Sequence, residues 1–354
     1  MPRRRLKENE GLPKGWRRRH GAYYYQVPRG MAKHWDGKAE FRLGANLAEA
    51  YKTWAERLET PDDVRTIGQL LERYAIEVVP GKAAATRTGN ARQIVILAKV
   101  FGAMRLNAIE PIMIRQYVAR RKGKVAAQRE IEVLSHAYSM AVEWGFIARH
   151  PFLGQVRFKA NKPRMRYIKD WEIIEALQLP SHRKKGSVLV IQAYIRLKLL
   201  TGLAKSDLLR LEPARHFSDE GIEVTRHKTA NSSGKATIFL WNDELRAAVK
   251  IALAARPVHI SPYLFCTKMG EGYFNEETGL PSGWSSMWQR FMARVLKETR
   301  VTESFTDHDI RAKAGSDAGS LEDARALLQH ANSATTERTY RRLPERVKTT
   351  RSGF

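Results

Sequence analysis

His308-Asp309-Ile310-Arg311, Leu327-Leu328-Gln329-His330 and Thr336-Glu337-Arg338-Thr339-Tyr340-Arg341-Arg342 follow one another in the last third of the chain, and together they decide how it is read. His308 and Arg311 stand three positions apart, so on a helix they share one face and reach a single anion together. Arginine suits that post because its planar fork donates two parallel hydrogen bonds and keeps its charge at any relevant pH. Tyr340 is a weak nucleophile at its free pKa of about 10, so it needs a basic pocket to lower that pKa and to hold an electrophile in place.

Working outward, His227-Lys228-Thr229 sits near the tip of a candidate hairpin over residues 221–240, and Thr201-Gly202-Leu203-Ala204-Lys205-Ser206-Asp207 follows a strongly apolar helix. The ordered set Lys228, His308, Arg311, His330 and Tyr340, with these flanks, resembles the catalytic domain of the tyrosine recombinases of phage-integrase type. The resemblance covers the whole chain, because the segments before it match the integrase layout as well. It implies strand cutting and rejoining through a 3′-phosphotyrosyl link, for integration and excision of a phage or mobile element. Lys228 would protonate the departing 5′-oxygen, with Lys235 as its rival. His308 would take the phenolic proton or stabilise the pentacoordinate phosphate, and His330 would donate to a non-bridging oxygen. No metal or other cofactor is implied. The implied partners are double-stranded DNA at core and arm attachment sites, three further copies of the chain in a homotetramer, and an accessory DNA-bending protein.

Two departures stand out. His330 precedes Tyr340 by one position more than the family's commonest spacing, and Gln329 replaces the usual glycine. Ala204 falls where the resemblance calls for the first catalytic arginine; Asp207 matches the acidic residue that accompanies it and is left without its local reason. Losing such an arginine forfeits about 3 kcal/mol of transition-state stabilisation. Lys205 is a poor substitute, since the next helical position points elsewhere and an ammonium lacks the fork.

The 354 residues carry 62 Lys plus Arg against 37 Asp plus Glu, a formal charge of +25, with 43% apolar residues. A folded chain with that balance suits a polyanion touched along its length. Cys266 is the lone cysteine, which excludes an intrachain disulfide and a thiolate metal cluster. No segment reaches the length of a membrane span, so a soluble protein in a reducing compartment is expected, and the resemblance implies the cytoplasm of a bacterial host, at the nucleoid.

The expected fold is multidomain and mainly α. Residues 1–60 read as a small α+β arm-binding module with strands around Tyr23 to Val27 and Phe41 to Leu43, a helix from Leu47 to Leu58, and Arg17, Arg18, Arg19 and Lys33 for phosphate. Residues 61–155 read as a helical core-binding domain opened by Thr66, with Arg115, Arg120, Arg121, Lys122 and Lys124 as a basic cluster. Residues 156–166, carrying Arg157, Lys159, Lys162 and Arg164, read as a basic linker. Residues 167–354 form the catalytic domain, mostly helical with a small sheet, and end in a docking tail. A catalytically silent DNA-binding protein, a resolvase and a type IB topoisomerase are the rival readings.

Overall fold

The structure is a computed structural model and describes residues 7–28, 31–32, 35–57, 64–158, 163–229 and 234–344. It is mainly α with small antiparallel sheets, as expected. The chain divides into two compact units, Met1–Asn161 with Glu276–Leu280, and Lys162–Asn275 with Pro281–Phe354.

In the first unit, β1 (Trp16–Arg19), β2 (Ala22–Gln26) and β3 (Glu40–Gly44) pair antiparallel in that order, with Trp16 opposite Tyr25 and Tyr25 opposite Phe41. The pleat turns Trp16, Tyr23 and Tyr25 inward. α1 (Leu47–Ala55) is capped by Asn46 and lays Tyr51 and Trp54 on that face. The Trp16 ring lies 4.9 Å from Tyr51 and edge-on to Trp54 at 5.2 Å, packing worth about 1 kcal/mol per pair beyond area burial. The sequence reading holds only two strands here. β1 escapes it because Arg17, Arg18 and Arg19 are all exposed and Trp16 alone anchors the strand inward.

α2 (Ile67–Glu77) opens with a capping box in which Thr66 and Gln69 satisfy each other's backbone N–H groups. α3 (Ala84–Phe101), α4 (Pro111–Arg120) and α5 (Lys124–Glu143) complete the bundle around Leu70, Leu71, Tyr74, Leu97, Ile114 and Tyr138. Buried residues from Leu12 to Phe152 form one apolar cluster. The expected boundary near residue 60 therefore does not separate two cores: a sheet this small is marginal alone and shares the bundle's interior.

The second unit is built on α7 (Ser187–Thr201), preceded by α6 (Asp170–Gln178). Val190, Ile191, Ala193, Tyr194, Ile195 and Leu197 are all buried, the mark of a central helix rather than an amphipathic one. After α8 (Lys205–Leu208) and α9 (Pro213–His216), β4 (Gly221–Thr225) pairs antiparallel with β5 (Ala236–Leu240), Gly221 opposite Leu240 and Thr225 opposite Ala236. The expected hairpin is present, and its loop residues Asn231, Ser232 and Ser233 lie outside the described residues. α10 (Asp243–Ala255), α11 (Trp284–Glu298) and α12 (Asp307–Asp317) pack on α7. α13 (Leu321–Leu327) and α14 (Ser333–Tyr340) then fold over α12.

Candidate active site

α12 begins with a capping box between Thr306 and Asp309, which fixes the register that sets His308 and Arg311 on one side. α7 ends at Gly202, whose φ of 59° turns its carbonyl toward Arg311. A Cβ at Gly202 would meet Leu328 Cδ2 at 3.0 Å, and one at Gly315 would meet Leu328 Cδ1 at 2.7 Å. Two missing side chains thus let the turn that carries His330 close against α7 and α12.

Arg311 is 3% exposed. Its guanidinium donates to the Gly202 carbonyl and, at 2.5 Å, to the Leu328 carbonyl, and lies 3.4 Å from His330 Nε2. Burial pulls its pKa below the ordinary arginine value. His330 is held through Nδ1, 2.8 Å from Thr336 Oγ1. Burial, with the charges of Arg311, Arg226 and His308 beside it, pushes its pKa down to about 4. It is therefore neutral at pH 7 and can donate from one ring nitrogen.

Tyr340 closes α14. Its Oη lies 3.0 Å from His308 Nε2, and the Arg311 guanidinium carbon is 5.6 Å from the centre of its ring. The Tyr340 carbonyl accepts the Ser316 hydroxyl at 2.7 Å, while the Ser316 hydroxyl oxygen accepts the Arg342 backbone N–H at 2.9 Å. Arg342 in turn donates to Asp309 at 2.6 Å and lies 3.4 Å from His308 Nδ1. Burial first, then the Arg342 charge, lowers the His308 pKa, so its imidazole is ready to accept a proton rather than already carrying one.

Four expected residues, His308, Arg311, His330 and Tyr340, are thus brought together in one chain. Lys228 is exposed on the single helical turn His227–Thr229 that follows β4, and no contact ties it to the four; Lys235 is exposed as well. Ala204 is the N-cap of α8 and supplies no side-chain cap. Asp207 corrects one expectation. It is 4% exposed, and its Oδ1 accepts the His227 backbone N–H and the Ser206 hydroxyl, each at 3.1 Å. Its local reason is to pin the end of β4, next to Lys228; its Oδ2 is buried without a partner.

The expected DNA-facing residues divide. Arg115, Arg120, Lys122, Lys124 and Arg157 are exposed. Arg17 donates to Gln26 at 2.7 Å, Arg19 pairs with Glu40, and Arg18 lies over Tyr23. Arg121 forks onto the buried Glu130 at 3.1 and 2.7 Å, and Arg164 donates to Asp309 at 3.1 Å, so both commit their charge within the protein. Lys33, Lys159 and Lys162 lie outside the described residues, as does the expected docking tail beyond residue 344. Sequence reasoning missed Ser316 and Thr336, ordinary hydroxyls whose contacts exist only once α12 and α14 meet, and the bond from Arg226 to the Gln329 carbonyl. Among the described residues no group of three or more His, Cys, Asp and Glu side chains is arranged to hold a metal ion. No helix among them is long and apolar enough to cross a membrane.

No family model matches the sequence, and no curated protein matches it. Solved structures do match the fold. A lambda integrase dimer bound to a COC' core site is similar over 98% of this chain and 99% of that chain, with a TM-score of 0.60 and 18% identity. A lambda integrase tetramer bound to a Holliday junction is similar over 91% and 97%, with a TM-score of 0.58 and 18% identity. The Tn1549 transposon integrase in complex with a circular intermediate DNA is similar over 77% and 94%, with a TM-score of 0.61 and 16% identity. At these identities the likeness establishes the fold: this chain shares the mainly helical architecture of those integrase structures.

Proposed function

We propose that the protein is a site-specific DNA recombinase, an integrase that cuts and rejoins strands for integration and excision of a phage or mobile element. The observation that carries this reading is the 3.0 Å approach of Tyr340 Oη to His308 Nε2 beside the buried Arg311 guanidinium. In the step it supports, the Tyr340 oxygen bonds to a backbone phosphorus as the bond from phosphorus to the 5′-oxygen breaks. The phenolic proton passes to His308, and Lys228 gives a proton to the departing 5′-oxygen. Arg311 and His330 hold the non-bridging oxygens, where negative charge grows. The phosphotyrosyl link keeps the energy of the broken bond, so a free 5′-hydroxyl of a partner strand reverses the step and joins the exchanged ends without ATP or a metal.

The likeness to integrases bound to a core site and to a Holliday junction supports double-stranded DNA as the partner and a homotetramer as the working assembly. Residues 1–60 would hold arm sequences, residues 61–155 and the catalytic domain would clasp the core site, and the linker 156–166 would run between them. An accessory bending protein would bring arm and core together, in the bacterial cytoplasm at the nucleoid.

Ala204 makes cleavage by this chain slow, and it favours a second reading, a DNA-binding protein that is catalytically silent. The test uses duplexes selected from a random pool by binding to the Tyr340→Phe chain, nicked so that the short cleaved fragment escapes. A covalent DNA–protein band that resists EDTA and is absent with Tyr340→Phe is expected from the native chain. A band formed only after Ala204→Arg supports the silent reading. Bound DNA with no band from either chain overturns the recombinase reading.

A further inference from the structure

Arg226 follows β4 directly, two positions before Lys228, and its side chain turns back to the site. Its Nη1 donates to the Gln329 carbonyl at 3.3 Å, while Arg311 donates to the preceding carbonyl, that of Leu328, at 2.5 Å. Two guanidinium groups therefore grip consecutive carbonyls of the one turn that leads into His330. The turn is shaped for this: Gln329 has a φ of 52°, a left-handed conformation costly for a side-chain-bearing residue, and its amide donates to the Val224 carbonyl of β4 at 3.2 Å. The Nε atom of Arg226 is buried without a hydrogen-bond partner, as is that of Arg311, whose guanidinium also lies against Tyr340. Buried N–H donors are nearly always satisfied, so an unpaired pair beside one turn calls for an acceptor that arrives from outside.

We propose that Arg226 is the second phosphate-holding arginine of this chain, supplied from the strand end rather than from position 204. An oxyanion between the two guanidinium forks satisfies both idle donors, and only arginine gives the parallel pair of bonds that such an oxygen edge accepts. The charge of Arg226 is already felt at the site, where it helps to lower the pKa values of Arg311 and His330. The assignment links the two departures from the integrase pattern. Ala204 leaves a guanidinium missing, and Gln329 anchors the turn on which the replacement rests. It depends on the recombinase reading, and the experiment separates the two.

Covalent-complex formation is measured on the nicked duplex for the native chain, Arg226→Ala and Arg226→Lys, each with Ala204 and again with Ala204→Arg. DNA binding by gel mobility shift is followed in parallel to normalise for folding. Arg226→Ala is expected to slow the native chain about 30-fold or more and the Ala204→Arg chain less than about 3-fold, with Arg226→Lys intermediate. An equal loss in both backgrounds, a merely structural role, overturns the assignment. So does an unchanged native rate, or a native chain that forms no band while Ala204→Arg does. Absence of the band from every chain that binds DNA removes the recombinase reading instead.

Discussion

The downstream and upstream halves of the site differ in how completely the protein satisfies them. Downstream, Arg311, His330 and Tyr340 each have a fixed partner, the carbonyls of Gly202 and Leu328, the Thr336 hydroxyl, and the pair His308 and Ser316, which leaves Arg311 Nε idle. Upstream, Lys228 is exposed, Asp207 Oδ2 and Arg226 Nε are buried without partners, and Ala204 contributes only a methyl. On the recombinase reading proposed above, the nucleophile is preorganised by the fold, whereas the groups for the phosphate and the leaving oxygen await their ligand. That reading puts the limit on the rate at the upstream side.

The largest effect belongs to the completed half. Arg311→Ala is expected to slow covalent-complex formation about 10⁴-fold, the loss of two transition-state hydrogen bonds. It also destabilises the fold by about 3 kcal/mol, because two buried carbonyls lose their donor; urea unfolding reads the second effect. Lys228→Ala should slow cleavage about 10³-fold, and a 5′-sulfur leaving group, which needs no proton, should restore the rate. Lys235→Ala should do neither. Ala204→Arg should raise the rate about 100-fold, the equivalent of about 3 kcal/mol, which measures how far the upstream half falls short.

A smaller test is pH. His330 has a pKa of about 4 when folded against 6.5 when free, so between those values the unfolded chain binds the extra proton. Stability is then full above about pH 6.5 and is lost as pH falls toward 4, by up to about 3 kcal/mol, with His308 contributing in the same direction. Denaturation midpoints across this range should flatten in His330→Asn. The smallest effect is Ser316→Ala, which frees the Tyr340 carbonyl and the Arg342 N–H: about 1 kcal/mol of stability and a several-fold slower rate. A Ser316→Ala rate equal to that of the native chain would show that Tyr340 is placed by its side chain alone.

Much of this was readable in the chain because it depends on local rules. The capping box at Thr66, the apolar run of α7, the alternation of β4 and the spacing of His308 and Arg311 each carry a period or a cap that survives without tertiary context. β1 was hidden because three exposed arginines outnumber its one buried tryptophan. α10 carried a usable signal, Leu245, Ala248, Val249 and Ala252 on one face, that motif-led reading passed over. Asp207 and Arg226 were beyond reach for another reason: their meaning lies in which backbone groups face them, His227 in one case and Gln329 in the other, and no spacing reports that.

The hydroxyl of Tyr340 rests on a histidine of its own chain, with an arginine of that chain under the ring. A mixture of Tyr340→Phe and Arg311→Ala subunits consequently contains no intact site in either kind of molecule. Injured copies of this protein should fail to rescue one another, and a single wild-type subunit placed among them should cut only the strand it occupies itself.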